Sequence, residues 1–278
     1  MDDNVGKYYI ENGRVKESKN SIIIGPNDGI MIYDVIRIID GIPLFFEDHY
    51  ERSCQSFNAI GNKCAIDALE MNNQIHKIAD LNNNQSCNIK FIMFSLNGTP
   101  KTIGYISKSY YPTQEETMRG VKVGLFFMER ENPNIKLVNN DYRAKVNKIK
   151  KEKDLFEIFL IDREGNVNEG GTSNIFFIKE GNVYTAPEEK VLKGITRMHV
   201  IKSCEAIRLN VIETAITLKN VWESDAVFLS GTSPKVMPVS SIDDMNYDSA
   251  NHPIVTSIRN AFDEKIEKYI SAKKIRQR

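Results

Sequence analysis

The chain has 278 residues, equal numbers of basic and acidic side chains (37 each) and 41% hydrophobic content, enough apolar material for two ordinary domains. This balance excludes disordered and fibrous classes, and it leaves no charge excess to hold a nucleic-acid backbone or an anionic membrane surface. Cys54, Cys64, Cys87 and Cys204 show neither CxxC spacing nor a dense framework, which predicts reduced thiols and a cytoplasmic protein. The acidic start Met1-Asp2-Asp3 lacks a leader pattern and no apolar run approaches the roughly 18 to 20 residues that span a bilayer, so neither export nor membrane insertion is expected.

In chain order, Lys7 to Ile10 and Ser21 to Ile24 read as strands of a hairpin turned at Glu11-Asn12-Gly13. A second pair, Ile32 to Ile39 and Pro43 to Phe46, brackets Asp40-Gly41, a favoured tight-turn dipeptide. Phe46, Tyr50, Cys54, Phe57 and Ile60 then recur at four and three, the stripe of an amphipathic helix. A weaker helix follows from about Ile66 to Ile78, then strands near Ile89 to Ser95 and Thr102 to Ser107. Tyr111 to Gly120 is polar and aperiodic, which places a domain boundary there and predicts domains of 1–119 and 120–278.

Beyond that boundary Val121 to Phe127 reads as a strand and Val138 to Lys153 as a helix with a basic exposed face. Phe156 to Ile161, Val167 onward, Ser173 to Ile178 and Asn182 to Thr185 read as strands, and Thr196 to Leu209 and Pro253 to Ala272 as helices. The fold class is α+β, a smaller N-terminal α/β domain followed by a larger β-rich one.

Four segments could carry chemistry. Gly194-Ile195-Thr196 opens a helix, where unpaired N–H groups and the positive end of the dipole suit a phosphate, although a plain cap has the same appearance. Glu169 precedes Gly170-Gly171, so a carboxylate could meet a cationic ring nitrogen where backbone approaches closely; a polar strand end reads alike. Gly231-Thr232-Ser233 follows a strand and offers amides and hydroxyls to an anion. Lys136, between Ile135 and Leu137, stands apart from the solvated Lys145, Lys148, Lys150, Lys151 and Lys153. An amine among apolar neighbours loses its charge more readily and can attack a carbonyl. The histidines lack metal-ligand spacing, and no serine stands in a GxSxG elbow.

Together Glu169, Gly171, Asn174, Ile175, Phe176, Val183, Thr185, Leu192, Gly194, Ile195 and Arg197 fill a long signature at permitted spacing, and the chain resembles the class IV aminotransferases. These are pyridoxal-phosphate enzymes of fold type IV that include branched-chain and D-amino-acid aminotransferases and aminodeoxychorismate lyase.

The resemblance implies a pyridoxal 5′-phosphate cofactor bonded to Lys136, a ring nitrogen facing Glu169, and a phosphate held by Arg52, Gly194, Ile195, Thr196 and Thr232. It implies substrate contacts from Tyr33, Lys90, Gly231, Thr232 and Ser233, a β-rich domain of pseudo-barrel form, and a homodimer acting on a small amino acid and a 2-oxo acid such as 2-oxoglutarate. Ser95 and Leu96 stand where D-specific relatives carry an arginine, which favours a branched-chain-like L-amino acid; Lys90 keeps an acidic substrate, and the lyase reaction, open. The tyrosine expected beside the cofactor's phenolic oxygen is absent at its spacing, and Tyr142 is the nearest substitute.

Overall fold

A computed structural model describes residues 3–18, 29–64, 66–130 and 132–276. It divides into two compact units, residues 1–110 with 135–138 and 266–278, and residues 111–134 with 139–265. The units are therefore not two consecutive stretches of chain.

The first unit is built on strands β1 (Tyr8–Glu11), β2 (Arg14–Glu17), β3 (Met31–Ile39) and β4 (Ile42–Pro43), helices α1 (Phe46–Ala59) and α2 (Ala68–Leu81), and strands β5 (Asn88–Leu96) and β6 (Thr99–Ile106). The strands form one antiparallel sheet in the order β2-β1-β6-β5-β3-β4. The expected strand Ser21 to Ile24 lies outside the described residues, and β1 pairs with Arg14–Glu17 instead, because the Asn12-Gly13 turn with both residues at positive φ returns the chain at once. Of the expected Pro43 to Phe46 strand only Pro43 pairs with β3, together with Ile42 before it; Phe46 already opens α1.

Alternation along β3 buries Ile32, Asp34, Ile36 and Ile38 on one face. The three isoleucines pack with Ile89, Phe91 and Met93 of β5 against Phe57 of α1 and Met71, Ile75 and Ile78 of α2. The opposite face gathers Ile92, Phe94, Ile103 and Tyr105 with Tyr9, Met31, Tyr33 and Val138. Residues 135–138 run beside β3: the Tyr33 N–H donates to the Lys136 carbonyl at 2.9 Å, and the Val138 N–H donates to the Met31 carbonyl at 2.9 Å.

In the second unit, Tyr111 to Gly120 is not the irregular stretch its composition suggests. Helix α3 (Gln114–Arg119) forms there, nucleated by a capping box between Thr113 and Glu116. It is followed by β7 (Val121–Phe127), α4 (Asn140–Glu152), β8 (Glu157–Ile161), β9 (Val167–Gly170), β10 (Asn174–Lys179), β11 (Asn182–Thr185), α5 (Ile195–Ala206), β12 (Val211–Glu213), α6 (Leu218–Trp222), β13 (Ala226–Gly231), β14 (Lys235–Ile242) and β15 (Met245–Asn246). Helix α7 (Pro253–Arg276) begins in this unit, and its residues from Ile266 onward count with the first.

The central order β10-β13-β14-β7-β8-β9 closes on itself, because β9 also meets β10 at Glu169 opposite Asn174. The sheet thus forms a six-stranded ring, the barrel form expected. One face of its strands is continuously apolar, with Val121, Val123, Phe159, Ile161, Ile175, Phe177, Val227, Leu229, Met237 and Val239 packed together.

The cysteines depart from expectation. Cys54 and Cys64 form a disulfide across ten residues, between α1 and the segment that follows it, whereas Cys87 and Cys204 are free and buried. Composition could not reveal that the end of α1 brings two of the four thiols together. Among the described residues no helix is long and apolar enough to cross a membrane, and no group of three or more His, Cys, Asp or Glu side chains could hold a metal.

Candidate active site

In the first unit the chemistry-bearing residues fall on the two faces of the sheet. On the helix-covered face, Arg52 of α1 grips Asp34 with both edges of its fork, Nε donating to Oδ2 at 2.9 Å and Nη2 to Oδ1 at 2.6 Å. His49, one helical turn earlier, places Nδ1 2.8 Å from the same Oδ1. All three are buried. Burial pushes the His49 pKa below its ordinary value, and the Arg52 and Lys136 cations reinforce this against the opposing pull of Asp34, so the ring is neutral at pH 7 and Nδ1 donates. Burial alone would raise the Asp34 pKa, but the charge of Arg52 outweighs it and holds the carboxyl well below its usual range.

On the other face, Tyr33 lies under two amines. Lys136 Nζ is 5.0 Å from the centroid of its ring and Lys90 Nζ is 5.2 Å from it. Lys90 stands opposite Val35 on one neighbouring strand and Tyr105 on the other, so Lys90, Tyr105 and Tyr33 share a face. Lys136 owes its place to the extra strand-like segment, whose backbone bonds to β3 turn Leu137 toward the helices and Val138 toward Tyr33.

In the second unit the signature residues form one connected group. Glu169, Asn174 and Ser230 stand opposite one another across β9, β10 and β13, which puts their side chains on a common face. Glu169 accepts the Leu192 N–H at 3.2 Å and faces Arg130 Nη1 at 3.3 and 3.4 Å; Asn174 Nδ2 donates to the Leu192 carbonyl at 3.0 Å. Both polar groups of Leu192 are thereby tied to the sheet, and the chain is set on course for α5.

Gly194, the residue before α5, is required there because a Cβ would lie 2.1 Å from Asn174 Oδ1. With glycine at that position the first-turn amides of α5, those of Ile195 and Thr196 included, receive no side-chain cap. Two other signature residues are structural: Thr185 Oγ1 donates to the Ile175 carbonyl, and buried Arg197 bridges the Ala186 carbonyl and Glu213.

Gly231, Thr232 and Ser233 form the turn between β13 and β14, directly after Ser230, whose buried hydroxyl has no partner among the described residues. An uncapped helix start, a glycine with no room for a side chain and an unpartnered buried hydroxyl fit an anionic ligand. Tyr142, the substitute for the missing tyrosine, spends its hydroxyl on the Gly171 carbonyl at 3.0 Å, and its ring lies beside Arg130.

The structure thus brings Tyr33, Lys90, Lys136 and Arg52 into the first unit and Glu169, Gly194, Ile195, Thr196, Gly231, Thr232 and Ser233 into the second. Sequence reasoning missed Asp34, His49, Asp3, Tyr105 and Arg130. Only Asp34 left a trace, as an acid at an apolar position of an alternating strand.

The model of the Amino-transferase class IV family matches residues 31–242, and the chain belongs to that family. It is 28% identical over 271 residues to the D-alanine aminotransferase of Bacillus licheniformis, covering 92% of this chain and 95% of that one. Its fold is that of the branched-chain aminotransferase of Thermoproteus uzoniensis solved with norvaline, with a TM-score of 0.84, 21% identity and coverage of 96% and 98%. It is likewise similar in fold to the branched-chain amino acid aminotransferase of Escherichia coli, with a TM-score of 0.81, 20% identity and 94% of each chain covered.

Proposed function

We propose that the protein is a pyridoxal-5′-phosphate-dependent aminotransferase, acting as a homodimer, that moves an amino group between a small amino acid and a 2-oxo acid such as 2-oxoglutarate, with a branched-chain-like L-amino acid as donor. The observation that carries this reading is Lys136, an amine fixed by sheet hydrogen bonds beside an aromatic ring in a chain of this family. When bound, the cofactor supplies an aldehyde for that amine and a ring that accepts electron density from the substrate's α-carbon.

The remaining work falls to the chain. The Lys136 amine takes and returns the proton at the α-carbon. Glu169 would face the ring nitrogen and favour its protonated form, and Arg130 holds the carboxylate in place. The Ile195 and Thr196 amides and the Thr196 hydroxyl would donate to phosphate oxygens, whereas Arg52 keeps Nε and Nη2 on Asp34. The turn at Gly231, Thr232 and Ser233 donates to the substrate carboxylate.

A D-amino-acid donor is the second reading, favoured by the relative from Bacillus licheniformis and opposed by Ser95 and Leu96 in place of an arginine. Lys136→Ala should abolish the near-visible absorption of the holoenzyme and lower turnover by at least about 10²-fold. Retained absorption would refute Lys136 as the attachment point. Screening L- and D-leucine and L- and D-alanine with 2-oxoglutarate and pyruvate decides the donor, and pyruvate release from aminodeoxychorismate without an acceptor would make the enzyme a lyase.

A further inference from the structure

The acid-accepting position beside Lys136 is already taken by the protein's own chain. Asp3 Oδ2 accepts from Lys90 Nζ at 2.9 Å and Oδ1 accepts from Tyr105 Oη at 2.7 Å, so both carboxylate oxygens are used. The segment carrying Asp3 is pinned along the end of β6 by the Asn4–Ser107 bridge, by the Val5 N–H donating to Ile106, and by the Lys108 N–H donating to the Asp3 carbonyl. Burial works to raise the Asp3 pKa, but Lys90 and Tyr105 prevail and keep it below the usual value, so the group is an anion at neutral pH.

Lys90 has only 12% of its side chain exposed, whereas Asp3 retains 39%. The cation is thus built into the sheet face, and the carboxylate over it is reachable by solvent. The Lys90 and Lys136 amines each lie about 5 Å from one Tyr33 centroid and so within about 10 Å of each other, a separation that an acid with carboxylates at both ends of a short chain can bridge.

We propose that Asp3 is a specificity-determining residue: its carboxylate occupies the seat formed by Lys90 Nζ and Tyr105 Oη and competes there with the distal carboxylate of a dicarboxylic substrate. The inference rests on the aminotransferase reading for the nature of the substrate. A five-carbon dicarboxylate must displace the Asp3 side chain to reach Lys90, while a monocarboxylic partner leaves that ion pair intact. The chain therefore carries an internal charge that an acidic partner such as 2-oxoglutarate must displace, at a cost in affinity that a small or apolar acid does not meet.

The test measures binding of two unreactive acids, glutarate and butyrate, to the holoenzyme by titration calorimetry. Asp3→Asn keeps the shape of the side chain and removes its charge. Glutarate should bind this variant about tenfold more tightly than the wild type, the scale of one charge-assisted hydrogen bond, while butyrate affinity should change less than about twofold. Adding Lys90→Gln to Asp3→Asn should remove the gain, and Asp3→Ala should reproduce it.

An unchanged glutarate affinity, an equal gain for butyrate, or a gain that survives Lys90→Gln would overturn the proposal. Glutarate binding requires no amino transfer, so these failures are distinct from failure of the aminotransferase reading, which a wild-type holoenzyme unable to exchange amino groups would show.

Discussion

Asp34 is the residue whose removal the first unit should tolerate least. Its side chain is 1% exposed and accepts from Arg52 Nε, Arg52 Nη2 and His49 Nδ1, as well as from the Val35 N–H and the Ser53 hydroxyl. Asp34→Ala would leave a guanidinium with 9% of its side chain exposed facing a methyl group. Breaking a buried ion pair from one side costs about 3–5 kcal/mol, because the surviving charge stays desolvated. Against the roughly 5–15 kcal/mol that holds an ordinary domain together, that is a large fraction.

Urea unfolding at pH 7.5, followed by far-UV circular dichroism, should show the midpoint falling by about 1–3 M. Circular dichroism is preferred because the single tryptophan, Trp222, reports on the second unit. Asp34→Asn, which keeps an acceptor oxygen but presents an amide to the fork, should fall between the wild type and the alanine variant.

The acid limb gives a second readout of the same cluster. His49 is held below its ordinary value of 6.5 in the folded chain, so the unfolded chain binds the extra proton first and stability declines as pH drops below about 6.5. Asp34 is held below its ordinary value of 3.8, so its contribution is complete above about pH 4 and declines as pH falls further. Asp34→Asn should flatten the lower part of this profile. A loss under about 1 kcal/mol in Asp34→Ala, or an unaltered acid limb in Asp34→Asn, would refute the assignment of Asp34 as the anchor of Arg52.

Gly194→Ala should lower stability by about 1–3 kcal/mol and weaken cofactor retention, since its Cβ meets Asn174 Oδ1; adding Asn174→Ala should recover the thermal midpoint, and no recovery would place the strain elsewhere. Glu169→Gln should cut turnover by about 10²-fold while leaving the bound cofactor's phosphate in place; full activity would separate Glu169 from the ring nitrogen. Titration of the denatured, unreduced protein with a thiol reagent should find two thiols, Cys87 and Cys204, and reduction should cost about 2–3 kcal/mol; four thiols in air-oxidised protein would contradict the Cys54–Cys64 bond.

Much of the local structure was legible from periodicity. The stripe from Phe46 to Ile60 matches α1, and the β-branched runs match β3, β5, β7, β8 and β10, because each element must bury one face at a fixed repeat. The stripe was nevertheless incomplete: α1 also buries His49, Arg52, Ser53 and Ser56, and the first three contact Asp34, a polar side that no hydrophobic pattern could announce. Helix α3 escaped for the opposite reason, since its stability comes from a capping box and it buries no side chain. The disulfide escaped because Cys54 and Cys64, spaced like unrelated residues, meet only when the chain turns back after α1.

The order of residue types along the chain was enough to establish the class IV family and to single out Lys136 and Glu169 as candidates, since a long signature at permitted spacing is local information. Tertiary structure alone decided which charges neutralise which. It set Asp3 on Lys90 across 87 positions, Asp34 on Arg52 across 18, and Arg130 on Glu169 across 39. The physical reason is that an ion's worth depends on its burial and on the geometry of its partner, and both exist only once distant strands have been laid side by side.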